Sequence, residues 1–247
     1  MPTPFTHLAY ASRLLESADR HWLLPSAMEE LPSFLLGSVA ADARVPALDS
    51  RAATHFYTYT EPMHDHPWRV MLARNPDLAH PDDPALAAFV SGYVFHLAMD
   101  EYWSREMLGP HFANGTWGSS RAERFYVLHL LLIAMDERDE RSLNPALATE
   151  LSRCQPDHWL GFMSDDILRD WRDFIARQIT GQSETLRIFG ERIGRSPSEL
   201  RQTLDSPEQM QRLLYQHLTP SFLADFEQHM YDFACEQLAV FARQGSR

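Results

Sequence analysis

Residues 92–103, GYVFHLAMDEYW, combine the apolar pattern of a buried helix with two polar side chains. At a spacing of four residues, His96 and Asp100 share one face of a helix, with their Cβ atoms about 5–6 Å apart. Both side chains are therefore within reach of one ion. Gly92 lies one turn before His96 and leaves a gap in that face, where a metal, a water molecule or a neighbouring backbone could approach.

The composition is that of a globular protein with a substantial core. Of the 247 residues, 45% are hydrophobic and 11% are aromatic, which suits one large domain or two small ones. No repeat, low-complexity tract or break in composition divides the chain, so we predict a single domain over residues 1–247. The longest apolar runs, 34–41 and 127–135, are interrupted by Gly37 and His129, and no membrane span or stable membrane insertion is expected.

The N-terminus and the cysteines bear on the cellular compartment. The opening sequence MPTPFTHLAYASRLLE lacks the basic start and continuous apolar core of a signal peptide, which predicts a cytoplasmic protein. Cys154 and Cys235 are the only cysteines and neither belongs to a CxxC pair, which disfavours a disulfide framework and a thiolate zinc site. Any metal would be held by histidines and carboxylates.

The negative net charge indicates which classes of binding partner are expected. The chain has 22 Lys plus Arg against 34 Asp plus Glu, a net charge of −12. Binding to nucleic acid or to an anionic membrane depends on excess Lys and Arg, so neither is expected as the main function. A small phosphate ester stays compatible with this charge, because divalent ions can dominate the field inside a cleft.

Helix start signals recur along the chain, whereas strand signals are nearly absent. Serine or threonine followed by proline, or by glutamate three residues later, marks starts at Thr3, Ser26, Ser120, Ser196, Ser206 and Thr219. Helical periodicity covers about 84–108, 120–140, 158–193 and 219–243, and loops are expected at 44–54, 75–83, 109–119 and 194–196. We predict an all-α multi-helix bundle of about eight to eleven helices.

Three further polar residues lie where a packing helix would favour apolar ones. His7 is beside Leu8 in the first helix, Asp42 ends the apolar run FLLGSVAAD, and His55 opens THFYTY. Taken singly, each histidine is explained by ordinary hydrogen bonding and Asp42 by helix capping. Together with His96 and Asp100 they supply three imidazoles and two carboxylates, the ligands that zinc takes where thiolates are absent.

In this order, His7, GSVAADARV, THF and GYVFHLAMDEYW resemble the zinc-dependent phospholipase C family, whose all-helical fold is shared with P1-type nucleases. The resemblance covers about residues 1–110. It implies that Asp42, His55, His96 and Asp100 surround a first zinc ion, and that His7 and Asp100 hold a second ion beside it. It also implies that Asp42 positions or deprotonates the attacking water, and that Asp100 can bridge two metals.

The sequence departs from the secreted members of this family at the third ion. Those enzymes add an HxxxE helix and another histidine shortly after the HxxxD aspartate. Here no histidine has glutamate at the fourth position on, and Glu106 stands six residues after Asp100. We therefore expect one or two ions rather than three.

Other residues are candidates to complete the site. His64 and His66 form an HxH pair that is read either as a ligand pair or as a loop before Pro67, and His129 shares a helix face with Asp136. Further candidates are Glu106, His111 and Glu123, which flank a loop. Residues 111–247 otherwise show no recognisable chemistry and form a helical half of unknown role.

Two functions of different classes remain open. The first is a zinc-dependent phosphoesterase acting on a small soluble phosphate ester or a lipid head group. The second is a non-catalytic helical protein that keeps a structural or residual metal and binds a partner, and the missing HxxxE motif favours it. The sequence indicates neither the substrate nor the oligomeric state.

Overall fold

The computed structural model describes residues 1–17, 29–43, 50–181 and 183–245. Within these ranges all regular secondary structure is helical, which confirms the all-α prediction. The α-helices are α1 Pro4–Glu16, α2 Leu31–Ala40, α3 Arg51–Thr54, α4 Pro67–Arg74, α5 Pro84–Tyr102, α6 Arg121–Ser142, α7 Ala146–Ser152, α8 Asp165–Ile179, α9 Thr185–Ile193, α10 Pro197–Leu204, α11 Pro207–Met210 and α12 Pro220–Gly245. The described ranges thus hold twelve, slightly above the predicted number, because two of them span only four residues.

Helix α5 is the central element. Asp83 caps its start by accepting a hydrogen bond from the backbone N–H of Ala85, and Pro84 occupies the first helical position. Every residue from 88 to 101 is buried. The helix packs on α2 along one side and on α12 along another, so its polar residues face other helices instead of solvent.

Helices α2 and α5 approach each other through two glycines. A Cβ atom added at Gly92 would lie 2.1 Å from the carbonyl oxygen of Phe34, and one added at Gly37 would lie 2.0 Å from the carbonyl oxygen of Phe89. Of the three occupants that could fill the gap at Gly92, the structure places a neighbouring backbone there. This close contact also brings the carbonyl of Ser38 on α2 to the side chain of His96 on α5.

The expected loop at 109–119 is wrong over its first five residues. Gly109 and Pro110 suggest a break because proline lacks an N–H group and clashes within a regular α-turn. The chain instead continues from α5 as a π-helix, Trp103–Ala113, in which the N–H of Asn114 donates to the carbonyl oxygen of Gly109 over 2.9 Å. Hydrogen bonds spaced five residues apart carry the helix past Pro110.

Two other boundaries differ from expectation. In the segment 158–193, residues 158–164 are not helical, and the remainder divides into α8 and α9, with Gly181 adopting a left-handed φ of 94° between them. Residues 51–54 form α3 although a loop was expected over 44–54, of which 44–49 lie outside the described residues. The start signal at Ser26 also lies outside them. The hydroxyls of Ser120, Ser196, Ser206 and Thr219 accept N-cap hydrogen bonds as predicted, whereas Thr3 makes no side-chain cap.

The second half of the chain packs directly on the first. Helix α6 lies against α1, and α12 lies against α5. Hydrogen bonds also join the two halves: Tyr10 on α1 donates to Glu227 on α12 over 2.8 Å, and the indole of Trp68 on α4 donates to Gln237 on α12 over 3.1 Å. Among the described residues, no helix is long and apolar enough to span a membrane.

The glycine contact between α2 and α5 gives a first prediction. We expect Gly92→Ala to lower the free energy of unfolding by at least about 2 kcal/mol, because the new methyl group must displace backbone. Gly161→Ala is the matched control, since a Cβ atom there meets nothing within 4 Å. Urea unfolding of both variants measures the effect, and equal stability of the two would contradict this account of the packing.

Candidate metal centre

The structure brings five polar side chains from four segments together in the interior. His7 comes from α1, Asp42 from the 3₁₀ turn Ala41–Ala43 after α2, His55 from the C-cap of α3, and His96 and Asp100 from α5. The side chains of the three histidines and Asp100 have 0% exposure, and that of Asp42 has 14%. These are the five residues that the sequence singled out.

Asp100 is the common neighbour of the three imidazoles. Its Oδ2 atom lies 3.2 Å from Nε2 of His55 and 3.4 Å from Nε2 of His96, and its Oδ1 atom lies 3.4 Å from Nε2 of His7. Nε2 of His55 is also 3.5 Å from Oδ1 of Asp42. The rings of His7 and His96 stack with their centroids 3.8 Å apart. All three Nε2 atoms therefore face a carboxylate oxygen.

The hydrogen bonds behind His96 fix which of its nitrogens carries a proton. Nδ1 of His96 lies 2.8 Å from the carbonyl oxygen of Ser38, which can only accept, so Nδ1 is the donor. In the neutral ring this leaves Nε2 with a free lone pair directed at the cluster. A backbone partner on the outer nitrogen is the arrangement that metal-binding histidines usually have.

His55 is oriented in the same way by a short relay. The hydroxyl of Thr54 donates to the carbonyl oxygen of Ala41 over 2.9 Å and lies 2.9 Å from Nδ1 of His55. Because the hydroxyl has only one proton, it accepts from Nδ1, and Nε2 again faces the cluster with a lone pair. Tyr93 on α5 donates to the carbonyl of Thr54 over 2.8 Å and so fixes α3 against the central helix. Phe56 then ends the turn with a left-handed φ of 62°.

Several buried atoms of the cluster residues have no hydrogen-bond partner. They are Nε2 of each of the three histidines, Oδ1 of Asp100 and also Nδ1 of His7. Buried polar atoms are normally paired, and leaving them unpaired costs free energy. Lone pairs facing carboxylate oxygens are satisfied by a positive charge, either a proton or a metal ion.

The directions of the pKa shifts favour neutral imidazoles at His7 and His55, and a charged imidazole at His96 beside an ionised Asp100. Burial and the neighbouring His96 lower the pKa of His7 to about 4. Burial and the guanidinium of Arg51 also lower the pKa of His55. The pKa of His96 is raised in spite of burial, because Asp100 favours its charged form. The three imidazoles hold the pKa of Asp100 well below its usual range even though burial opposes ionisation.

Two overlapping sets of ligands could each hold an ion. One set is His7, His96 and Asp100, the other is Asp42, His55 and His96, and the ligand atoms within each set lie within 4.8 Å of one another. His96 belongs to both sets but offers one free nitrogen, because Nδ1 is bonded to Ser38. A third grouping, Asp157, His158 and Asp165, is on the surface, where acidic groups are common without an ion.

Arg51 is a member of the site that the sequence did not reveal. Its Nη2 atom lies 3.0 Å from Oδ2 of Asp100, and it also donates to the hydroxyl of Tyr57. The available signal was its spacing of four residues before His55, which places both on one turn of α3. The amino group of Met1 is buried nearby, where burial lowers its pKa to about 5 and the charge of Asp100 opposes that shift.

A cavity of about 680 Å³ opens beside the cluster, and Asp42 and Arg51 form part of its lining. Residues 111–247 supply about half of its lining, including Phe125, Leu128, Leu132, Trp171, Phe174 and Phe189. The helical half to which the sequence assigned no chemistry therefore helps to enclose the space next to the five polar residues.

The other candidate residues lie outside the cluster. His66 is hydrogen-bonded to Glu101, with Nδ1 2.9 Å from Oε2. His64 and Glu106 are exposed. Glu123 accepts from Ser119, while His111 packs against Phe222. His129 lines the cavity, but its Nδ1 atom donates to the carbonyl oxygen of Phe125 within α6. None of these six belongs to the two buried ligand sets.

Comparison of the chain with protein-family models, curated proteins and solved structures gives no match. The resemblance to zinc-dependent phospholipase C therefore stays a prediction from the sequence.

The two overlapping ligand sets predict that zinc binds the folded protein and stabilises it. Saturating zinc should raise the melting temperature by about 5 °C or more, because an ion that binds only the native state stabilises it by mass action. His96→Ala should abolish most of this rise and the bound zinc. His64→Ala is the control, since His64 is exposed. Thermal unfolding and elemental analysis measure both quantities, and an unchanged zinc content in His96→Ala would refute the assignment.

Proposed function

We propose that the chain is a zinc-dependent phosphoesterase related to the phospholipase C and P1-type nuclease family. The observation that carries this proposal is the convergence of His7, Asp42, His55, His96 and Asp100, with the Nε2 atoms of the three histidines unpaired and facing carboxylate oxygens. Imidazole and carboxylate ligands suit zinc, and a position left to water or substrate is what distinguishes catalytic zinc from structural zinc.

Bound zinc would supply Lewis-acid polarisation of a phosphoryl oxygen and a lowered pKa, near ~7, for a coordinated water. The residues of the chain prepare that chemistry. Ser38 and the Thr54 relay hold two imidazoles with Nε2 directed inward. Because the side chain of Asp100 is fully buried, its electrostatic attraction for a cation is screened less than it would be in water.

Asp42 is placed to act on the substrate side. Its side chain is 14% exposed, whereas Asp100 and the histidines are completely buried, and it belongs to the lining of the cavity. A carboxylate at this boundary can accept a hydrogen bond from water in the cavity and direct a lone pair of that water at phosphorus. We assign Asp42 the role of orienting the nucleophile.

The cavity limits what the substrate can be. Its volume of about 680 Å³ is in the range of sites for small organic ligands, and its lining combines aromatic and aliphatic side chains with charged ones such as Glu61, Arg121 and Arg192. With a net charge of −12, the chain is a poor surface for long nucleic acid. We infer a small soluble phosphate ester, or the head group of a lipid, as the substrate class.

A second candidate function is a non-catalytic protein with a structural ion. It is favoured by the lack of an HxxxE motif in the sequence and by the complete burial of the three histidine ligands, His7, His55 and His96. The exposure of Asp42 towards the cavity argues for catalysis instead.

Hydrolysis assays decide between the two functions. We expect zinc-loaded protein to hydrolyse a soluble aryl phosphodiester or an aryl phosphomonoester, and to act less on phosphatidylcholine micelles and single-stranded DNA. Chelator should abolish turnover, and Asp42→Asn should lower kcat by about 100-fold or more if Asp42 orients the nucleophile. Asp65→Asn, a change at a half-exposed carboxylate, is the control.

The metal content of every variant is measured in parallel, so that loss of zinc is distinguished from loss of chemistry. If zinc-replete protein hydrolysed none of these four substrates and its ion proved saturated by protein ligands, the structural alternative would replace the enzyme.

A further inference from the structure

Arg51 stands at the boundary between the buried cluster and the cavity. Its side chain is 9% exposed, and it lines the cavity together with Asp42. A cation is expected to be this deeply buried only when it has partners, and Asp100 provides one of them. Arg51 therefore faces both the acidic cluster and the space that a substrate would occupy.

Two tyrosines hold the guanidinium in place. The Cζ atom of Arg51 lies 4.4 Å from the centroid of the Tyr57 ring and 4.7 Å from that of Tyr59. The hydroxyl of Tyr57 is in turn 3.1 Å from that of Ser104 on the π-helix. Stacking on aromatic rings fixes the plane of a guanidinium, which reduces the entropy that it loses when it binds a ligand.

The guanidinium has donors beyond those used by its neighbours. Nη2 makes the hydrogen bonds to Asp100 and Tyr57, whereas Nε is buried without a hydrogen-bond partner. A guanidinium has five N–H groups in a planar fork, and two adjacent groups match two oxygens of a phosphate. Because its Nε–H is buried and unpaired, the guanidinium of Arg51 still has a donor available for a ligand in the adjacent cavity.

The net charge of the site also favours a role for Arg51 in binding an anionic substrate. Asp42 and Asp100 carry two negative charges, which one divalent ion would only neutralise. A neutral site attracts a phosphate ester weakly, and Arg51 adds positive charge next to the ion. The cavity is also lined by Arg105, Arg121 and Arg192. Arg51, in contrast, is paired with Asp100 over 3.0 Å and so lies at the cluster itself.

We propose that Arg51 binds the phosphate group of the substrate from the cavity side, next to the ion. This inference rests on the proposed function, since it names the residue of that same site that recognises phosphate. Arg51 makes contact with the substrate, while Tyr57 and Tyr59 position it. The competing account is that Arg51 only neutralises Asp100, in which case it affects stability and metal binding but not affinity for phosphate.

Binding of inorganic phosphate tests the proposal without reference to turnover. Protein loaded with stoichiometric zinc, freed of excess ion, is titrated with phosphate by calorimetry. We expect Arg51→Gln to weaken phosphate binding by about tenfold or more and Arg51→Lys to weaken it less, because lysine keeps the charge but not the fork. The bound zinc should be the same in both variants and in the unaltered protein.

Arg69→Gln is the matched control. Arg69 also lies over an aromatic ring, with Cζ 5.1 Å from the Trp68 centroid, and near a carboxylate, with Nη1 3.9 Å from Oδ1 of Asp65, but it does not line the cavity. We expect its phosphate affinity to stay within about twofold of the unaltered protein, since a single exposed charge contributes little at a distance.

Several results would overturn the proposal. Unchanged phosphate affinity in a zinc-replete Arg51→Gln protein would do so, as would loss of zinc with no separate effect on phosphate. If Arg51→Gln does not fold, Arg51→Lys decides alone, because it keeps a cation beside Asp100. Phosphodiester hydrolysis combined with unaltered phosphate affinity would reject the role of Arg51 and leave the proposed function intact, whereas absence of zinc binding would reject the proposed function itself.

Discussion

A carboxylate without access to solvent lies at the centre of the molecule, and its charge determines what can surround it. Burying a lone carboxylate costs several kcal/mol unless positive charge or hydrogen bonds compensate it. Asp100 is fully buried, and its compensation comes from Arg51 on one side and from three imidazoles on the other. Because those groups belong to α1, α3 and α5, the positions of these helices are linked through a single side chain.

The contact between α2 and α5 connects packing with chemistry. Without side chains at Gly37 and Gly92, the two backbones come close enough for the carbonyl of Ser38 to accept from His96. That hydrogen bond determines which nitrogen of His96 remains free. The close packing of two helices at glycine thereby sets the tautomer of the buried His96. It also gives a polar side chain on the otherwise apolar α5 a hydrogen-bond partner.

The sequence predicted the all-α class and singled out five residues that the structure brings together, but it missed several features of the chain around them. His96 and Asp100 were recognisable because their spacing is local, and His7, Asp42 and His55 because a polar side chain in an apolar run requires an explanation. The hydrogen-bonding of the Thr54 relay and the role of Arg51 depend on contacts between segments, which no periodicity encodes. The lining of the cavity was missed for the same reason, since it is assembled from distant helices, whereas the π-helix was missed because Gly109 and Pro110 suggest a break in a regular α-helix.

The ligands of the cluster are separated by long stretches of chain, from residue 7 to residue 100. Closing such loops is entropically unfavourable until tertiary contacts form, so this constellation cannot exist in a partly folded chain that has only local helices. His96 and Asp100 can meet early because they share one helix, whereas His7 arrives only when α1 docks. The complete set of ligands consequently requires the native docking of the N-terminal helix, so a chain in which α1 has come away from α5 keeps the HxxxD pair but loses His7 from the cluster.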